Sequence, residues 1–430
     1  MKAPIIAILL LSSLARAWQY VFTQEESLDC HESCFTTDVG AFETVRSPIW
    51  LSTSPLDSFE RSKMSAVNGS AWEQWYFETV SESGGAAFAM SFSRDPSYRS
   101  FGYGVLRMEL VFAWENGTRT TVTDFVEHSR VQDCCGVVQG RWTGKDRSYS
   151  FLISADLKQA TIMINTPRVK GSVVLHAFGP ARYPDGSLRP SRTASTEVCP
   201  YLHFTEPITA AKAHVDFSVD GSPLSFSGFG GQNHFWAAYD WFTVVEGWHQ
   251  IRGTAGPYAF TVWNPVSKFD AGVPYHSALL VENGETIFTA HHRGPAAADE
   301  TTDHIVLSKT YDGHVHSSTG DASTGWVLEF VSPSLGKRWK FTTEHQNLVF
   351  EMDLGNGTGL AAFTDVIRGG ESGQDLHSGY SICEQVLLPE KLGLGLMLKI
   401  WWAHVTLTKA SILGSLWRTV YATLQLAILG

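Results

Sequence analysis

The sequence predicts an all-β protein built from two β-barrel or β-sandwich domains in tandem. Short runs of alternating apolar and polar residues, rich in β-branched and aromatic types, follow one another from residue 71 to about residue 382. A chain of 430 residues is also longer than one ordinary hydrophobic core. Finally, the Trp-led, hairpin-like segment at residues 75–92 is echoed at residues 248–263. This echo predicts two similar units, each the size of a small domain.

The amino-terminal residues predict a secretory signal peptide. Lys2 precedes an apolar run at residues 5–14, and the small residues at 15–17 form an A-x-A cleavage site. We therefore interpret residues 1–17 as the signal peptide. The alternative is a membrane anchor, for which this apolar run is short.

Two further patterns in the sequence agree with a secreted protein. Asn-x-Ser/Thr sequons at Asn68, Asn116 and Asn356 predict N-glycosylation. The six cysteines predict up to three disulfides, although their spacing does not reveal the pairing. The DCHESC segment at residues 29–34 has no second pair of metal-ligating residues, so a disulfide is the better interpretation and no metal site is predicted.

Composition and motifs exclude several classes of function. Hydrophobic residues make up 43% of the chain and charged residues 17%, as in a globular protein. The net charge of −11 argues against a nucleic-acid partner, because such proteins carry a basic footprint. The sequence contains no nucleophile elbow, zinc-protease motif, Walker loop or dinucleotide fingerprint. We therefore predict no cofactor and expect any reaction to depend on positioning of the substrate.

The crossing between the two predicted domains is unusually aromatic. We place the first domain at residues 18–240 and the second at 241–390, so the segment GFGGQNHFW at 228–236 leads from one to the other. Crevices between domains are preferred places for ligand sites. The crossing is therefore the first place to expect a binding site.

Four segments resemble one known superfamily, the hydroxyneurosporene hydratase-like proteins with tandem lipocalin-like domains. Within it, the sequence is most similar to fungal Diels–Alderases of natural-product pathways. The resemblance covers about residues 46–388. It rests on WEQWYFE at 72–78, G-x-G-x(5)-W at 228–236, GPYAFTVWN at 256–264 and GYSICEQV at 379–386.

The resemblance implies two lipocalin-like domains and a [4+2] cycloaddition. The superfamily commonly carries G-Y-H-D-x-N-W at the crossing, whereas Gln232 and Asn233 stand here in place of His and Asp. The residue that an olefin hydratase would use for protonation is thus missing. The signal peptide and sequons fit secreted hetero-Diels–Alderases, which dehydrate a tropolone-type alcohol to an o-quinone methide and add it to a humulene-type terpene.

A cycloaddition needs aromatic walls that hold two reacting groups together and a polar group on a carbonyl oxygen. Each candidate has a plain alternative, since a Trp on a strand or a buried Glu also serves packing. Glu73 shares one face of its predicted strand with Trp75, which predicts an acid among aromatic rings. The candidate acids and polar groups are Glu73, His234, Arg252, Glu384, Tyr258 and His276, and the candidate walls are Trp75, Trp236, Trp241, Trp248 and Trp263.

The carboxyl-terminal segment, residues 391–430, is apolar and basic and contains no acidic residue. Its predicted helix either lies on a membrane surface or packs on the β domains. Three functions therefore stay open: a secreted cyclase acting on small apolar or aromatic natural-product substrates, a non-catalytic carrier of an apolar metabolite, and a hydratase or isomerase on the same fold. The oligomeric state is not predicted.

Overall fold

A computed structural model describes residues 34–295 and 301–390, together with Gly395, Leu398 and Trp402. The predicted signal peptide lies outside the described residues, and so does the tail except for these three positions. Leu398 and Trp402 are helical and exposed.

Twenty-two strands form two antiparallel sheets in the described residues. The first sheet contains β1 (Phe35–Gly40), β2 (Trp72–Ser81), β3 (Ala87–Arg94), β4 (Leu106–Ala113), β5 (Arg119–Phe125), β6 (His128–Cys134), β7 (Val137–Gly144), β8 (Arg147–Ile153), β9 (Gln159–Asn165), β10 (Val169–Ala177), β11 (Glu197–Cys199), β12 (Leu202–Val219) and β13 (Ser222–Ala237). The second contains β14 (Val245–Ala255), β15 (Tyr258–Ser267), β16 (Val273–Glu282), β17 (Glu285–Arg293), β18 (His304–Thr310), β19 (Gly325–Ser332), β20 (Lys337–Gly355), β21 (Thr358–Glu371) and β22 (His377–Leu387).

Tight turns explain much of the antiparallel pairing. Asp220 and Gly221 join β12 to β13, and both have positive φ angles, 48° and 84°. Asn283 and Gly284 join β16 to β17 in the same way, with φ angles of 51° and 92°. Asx-Gly pairs favour this left-handed backbone, whose twist matches that of a hairpin.

Both sheets curl until strands far apart in the sheet order meet. In the first sheet, Trp75 of β2 contacts Phe151 of β8, with ring centroids 5.6 Å apart. In the second, Phe288 of β17 contacts Phe330 of β19 at 5.4 Å. The predicted all-β class with two barrel-like sheets is confirmed.

The order of the strands along the first sheet is β1-β6-β7-β8-β9-β10-β12-β13-β2-β3-β4-β5, and along the second β17-β16-β15-β14-β22-β21-β20-β19-β18. The central strands β2 and β13 of the first sheet pack against β14 and β22 of the second. The chain changes sheet between Ala237 and Val245, around the predicted boundary at residues 240 and 241. The division of the chain into two domains, residues 18–240 and 241–390, stays a prediction.

Two short helices border the space between the sheets. A 3₁₀ helix, Pro96–Phe101, is capped by Asp95, which accepts a hydrogen bond from the Ser97 backbone amide. A one-turn helix, Trp241–Val244, is capped by Asp240 and forms the crossing from β13 to β14. In the described part of the chain, no helix has the length and apolar character needed to span a membrane.

A disulfide joins Cys34 to Cys134, which confirms the prediction of disulfide bonding. Cys135 is also disulfide-bonded. Cys199 and Cys383 are buried free thiols, so among the described residues these two cysteines are not used for cross-linking.

The three sequons differ in position. Asn116 and Asn356 are exposed on the tight turns between β4 and β5 and between β20 and β21. Asn68 is half-buried, and its side-chain oxygen accepts hydrogen bonds from the backbone amides of Ser70 and Ala71. Glycosylation at these sites stays a prediction.

Candidate active site

A cavity of about 620 Å³ lies between the two sheets, within the size range of small-molecule sites. Strands β2 to β5 and the 3₁₀ helix form one wall, and β14, β15, β20, β21, β22 and the one-turn helix form the other. Most of its lining is apolar or aromatic. The cavity therefore suits a ligand with a large apolar body.

Three of the predicted wall residues line this cavity. The Trp241 and Trp248 rings lie 4.7 Å apart, and Trp263 contacts Phe235 at 4.8 Å. Met352 supplies an adaptable thioether on the same side. Flat aromatic walls of this kind restrict how an extended unsaturated chain can lie.

Glu384 on β22 is the carboxyl group of the second sheet that lines the cavity. The Tyr76 hydroxyl donates a hydrogen bond to its Oε1 atom, and Trp248 Nε1 donates to its Oε2 atom over 3.3 Å. Burial and the nearby charge of Glu78 raise the pKa of Glu384 to about 7, against the lowering effect of these two hydrogen bonds. Glu384 is therefore poised to carry a proton near neutral pH.

Arg252, a predicted catalytic residue, does not line the cavity. It is buried between the sheets, where its Nε atom lies 2.7 Å from Glu78 Oε1 and its Nη2 atom 2.9 Å from Glu206 Oε1. Gln250, which does line the cavity, donates from Nε2 to the same Glu78 oxygen over 3.0 Å. Arg252 thus lies behind the cavity wall.

Glu73 on β2 and His234 on β13, the other predicted acids, lie on the faces of these strands that do not border the cavity. Both are fully buried in the core of the first sheet, with His234 Nε2 3.0 Å from Glu73 Oε1. The Ser62 hydroxyl also donates to Glu73, over 2.7 Å. The nearby carboxylates Glu60 and Glu73 raise the pKa of His234 against the effect of burial. Neither residue reaches the cavity, so the geometry gives their predicted catalytic roles no support.

Trp75 and Trp236 belong to the same buried region. Trp75 Nε1 donates to the Glu60 carbonyl over 3.2 Å, and Trp236 Nε1 donates to the Ser52 carbonyl over 2.8 Å. Both indoles thus fasten the segment before β2 onto the first sheet. Alternation along β2 grouped Trp75 with Glu73 correctly but could not show which face of the strand borders the cavity.

Tyr258 and His276 are buried inside the second sheet. Tyr258 packs against Phe341 with ring centroids 5.7 Å apart. His276 stacks on His292 at 4.4 Å, and its Nδ1 atom lies 2.8 Å from Asn264 Nδ2. Burial, helped by neighbouring histidines, lowers the pKa of His276 to about 3. Neither residue is among those that line the cavity.

Sequence reasoning predicted Glu384 but missed other polar residues that line the cavity. Gln74 and Tyr76 follow Glu73 and Trp75 in WEQWYFE and occupy the other face of β2. The alternation itself was the available signal, since it separates these two pairs. The packing of the second sheet against the face with Gln74 and Tyr76 shows that this face borders the cavity.

The opposite wall carries a second polar group. Arg107 Nη2 lies 3.0 Å from Asp95 Oδ2, and Arg107 Nε lies 3.3 Å from Glu109 Oε1. The guanidinium also lies 4.6 Å from the centre of the Tyr98 ring. These neighbouring carboxylates raise the pKa of Arg107, so it stays a cation. Within residues 34–295 and 301–390, no group of three metal-ligating side chains is arranged to hold an ion.

Comparisons with known proteins agree with this architecture. The family model described as Diels-Alderase-like matches residues 31–389. Diels-Alderase mycB of Thermothelomyces thermophilus is 38% identical over 372 residues, which cover 84% of this chain and 84% of that protein. Diels-Alderase phmD of Phaeosphaeria nodorum is 38% identical over 346 residues, covering 80% of this chain and 96% of that protein.

A solved structure is also similar. The crystal structure of CghA with Sch210972 superposes with a TM-score of 0.71 at 25% identity, and the match covers 83% of this chain and 100% of that chain. The predicted resemblance to fungal Diels–Alderases is thereby confirmed. The chain belongs to the Diels-Alderase-like family, and it is an enzyme of the cyclase type.

Proposed function

We propose that this enzyme catalyses a Diels–Alder [4+2] cycloaddition in fungal natural-product biosynthesis, and that the reaction takes place in the cavity between the two sheets. The observation that carries the proposal is Glu384, a carboxyl group that can hold its proton near pH 7 inside an aromatic cavity. In its acid form this group donates a hydrogen bond to a carbonyl oxygen of the dienophile.

The cycloaddition converts three π bonds into two new carbon–carbon σ bonds and one new π bond, without net proton or electron transfer. Its main barrier is the ordering of diene and dienophile, and positioning of this kind contributes about 7–11 kcal/mol in favourable cases. The walls formed by Trp241, Trp263 and Met352 restrict the apolar chain to a folded arrangement. Positioning of the two reacting groups is thus the main contribution of the enzyme to catalysis.

A hydrogen bond from Glu384 adds an electronic contribution. As the new bonds form, electron density builds on the dienophile carbonyl, and a fixed donor stabilises that density by about 3–4 kcal/mol. Tyr76 and Trp248 each bind one oxygen of the carboxyl group, which fixes its plane relative to the cavity. The donor is therefore preorganised before the substrate enters.

A second candidate reaction precedes the first. An acid beside the substrate can protonate a leaving hydroxyl, so that the carbon–oxygen bond breaks and water departs. The neighbouring ring hydroxyl then returns a proton to the carboxylate, and a neutral o-quinone methide remains for a hetero-Diels–Alder reaction with a terpene such as humulene. The pKa of Glu384, about 7, suits this role. Glu384 replaces Glu73 and His234 as the acid in this scheme, because it lines the cavity and they do not.

The location of the enzyme is also a proposal. The signal sequence, the sequons and the Cys34–Cys134 disulfide support entry into the secretory pathway, since disulfides persist in oxidising compartments. The basic, apolar residues 391–430 support peripheral contact with a membrane. Glycosidase treatment and membrane fractionation of the native protein test both points, and an unprocessed, unglycosylated chain in the soluble fraction would contradict them.

The reaction is tested with the uncyclised precursor that accumulates in a strain lacking the gene. Glu384→Leu removes the proposed donor, and we expect product formation to fall roughly 100- to 1,000-fold. Full activity of this variant would overturn the proposed role of Glu384. Supplying an alcohol and a chemically generated quinone methide in parallel separates dehydration from cycloaddition, because only the alcohol needs the acid for water loss.

The aromatic wall is tested with Trp263→Ala. We expect it to lower product formation roughly 100-fold and to erode stereoselectivity, because the substrate loses its reactive arrangement. Trp339→Phe is the matched control, since Trp339 is equally buried but lies in the core of the second sheet. Native selectivity in the Trp263 variant would place the reaction elsewhere.

A further inference from the structure

Glu78 is buried directly behind the cavity wall and does not line the cavity itself. It lies two residues after Tyr76 on β2, on the same face, and is 1% exposed. Tyr76 binds Glu384, and Glu78 accepts a hydrogen bond from Gln250. Gln250 and Glu384 are themselves paired across β14 and β22. Tyr76, Glu78, Gln250 and Glu384 are thus neighbours where β2 meets β14 and β22, and the charge of Glu78 acts on Glu384.

We propose that Glu78 is a positioning residue whose fixed negative charge keeps Glu384 in its acid form and whose carboxylate orients Gln250 at the cavity wall. This inference rests on the proposed function of Glu384. Two carboxyl groups at close range do not both ionise readily, and the one with the better cationic partner keeps the charge. The structure shows which of the two has that partner.

Within the described residues, Glu78 forms an ion pair with a cation, whereas the side-chain hydrogen bonds of Glu384 are to uncharged groups. Arg252 Nε lies 2.7 Å from Glu78, whereas the direct hydrogen-bond partners of Glu384 are the uncharged Tyr76 and Trp248. Burial keeps the pKa of Glu78 above its usual value, although Arg252 and Gln250 oppose that rise. The ion pair with Arg252 is the feature that Glu384 lacks and that favours the charged form of Glu78. The first proton therefore goes to Glu384.

The charge on Glu78 is balanced away from the cavity. Arg252 also pairs with Glu206, and Glu206 Oε2 lies 2.5 Å from Arg182 Nε. Glu78, Arg252, Glu206 and Arg182 alternate in sign, and their side chains are at most 3% exposed. This buried ion-pair chain keeps Glu78 ionised without placing a cation against Glu384.

The wall around Glu384 is partly apolar, since strand β21 contributes Leu360, Ala361 and Ala362 to it. Burial raises the pKa of Glu384, and the charge of Glu78 raises it further. Glu78 and its partner Arg252 lie behind the cavity wall. The charged and titratable side chains that line the cavity together with Glu384 are Tyr76, Asp95, Tyr98, Arg99, Arg107, Glu109 and Asp240.

The test is a pH titration of the Glu384 carboxyl by infrared difference spectroscopy of the full chain, with the band assigned by its loss in Glu384→Gln. We expect Glu78→Gln to move the titration of Glu384 to lower pH by about one unit. Glu78→Asp shortens the side chain by one methylene and so moves the charge away from Glu384. The titration of Glu384 should therefore shift in the same direction but by less. The pH at which cyclisation activity declines should move with the band.

Glu206→Gln is the matched control, because it makes the same chemical change in the same ion-pair chain but farther from Glu384. A purely structural role for Glu78 predicts equal losses of thermal stability in Glu78→Gln and Glu206→Gln and no shift of the band in either. That result overturns the inference. An unshifted band in a folded Glu78→Gln or Glu78→Leu protein overturns it as well, since both variants remove the charge.

The proposed roles of Glu384 and Glu78 can be tested independently of each other. If Glu384→Leu is fully active, the proposed function fails, whatever the band of Glu384 does. If Glu384→Leu is inactive but the band stays in place in the Glu78 variants, Glu384 is the donor and only the role of Glu78 fails.

Discussion

Strand β2 carries Glu73 and Trp75 on one face and Tyr76 and Glu78 on the other, and both faces surround a carboxyl group with aromatic rings. On the first face, protein donors occupy the carboxylate: Ser62 and His234 bind Glu73, which is not among the residues that line the cavity between the sheets. On the second face, Tyr76 meets Glu384 of the other sheet at the wall of a large cavity. A buried acid acts on a ligand only where the packing leaves room for one.

The two faces therefore perform different tasks with similar residues. The core-facing group fastens the segment before β2, since Trp75, Trp236 and His234 all lie within hydrogen-bonding distance of carbonyls in that segment. The cavity-facing group joins two separate sheets and contributes the side chains that can meet a substrate. Mutations on the first face should mainly change stability, and mutations on the second should mainly change activity.

The largest expected effect is on the core face. Glu73→Ala removes the buried carboxylate that pairs with Arg94 and His234 and leaves His234 with Glu60 alone. We expect it to lower the free energy of unfolding by about 3–5 kcal/mol. Chemical denaturation measures this loss. Glu109→Ala, on the cavity face and partly exposed, is the control and should cost far less. Equal stability of the wild type and the Glu73 variant would contradict the structural role assigned to the core face of β2.

The sequence predicted the fold class because alternation and turn residues are local signals. It also grouped Glu73 with Trp75 correctly, since side chains on a strand alternate between faces. It could not show that the second sheet packs against the other face, because that contact joins Tyr76 to Glu384 across most of the chain. Glu384, Trp241, Trp248 and Trp263 were predicted as site residues and line the cavity, although no measurement yet tests their roles.

A smaller effect is expected from Tyr76→Phe, which removes the hydroxyl that binds Glu384. One hydrogen bond of this kind is worth roughly tenfold in rate. The same hydrogen bond lowers the pKa of Glu384, so its loss should raise that pKa above about 7 and shift the decline in activity to higher pH. A pH–rate profile measures both changes. A decline that moves to lower pH would contradict the assignment of Glu384 as the donor.

The smallest expected effect concerns cofactors. Neither face of β2 presents a metal-binding group in the described parts of the chain, and the sequence contains no nucleotide motif. Dialysis against a chelator should therefore leave product formation unchanged. Product analysis before and after dialysis, with the metal ions added back, checks this point. Strict dependence on an added ion would mean that an essential group lies outside both faces.

The most direct test of the central claim compares the pH–rate profiles of the wild type, Glu384→Gln and Glu73→Gln, using the accumulated precursor as substrate. Because the acid form of Glu384 is the proposed donor, wild-type activity should decline as the pH rises through about 7. Glu384→Gln should be slower and lack this decline, since an amide does not titrate, whereas folded Glu73→Gln should keep it. A decline that persists in Glu384→Gln would contradict the account, and one that disappears in folded Glu73→Gln would place the acid on the core face.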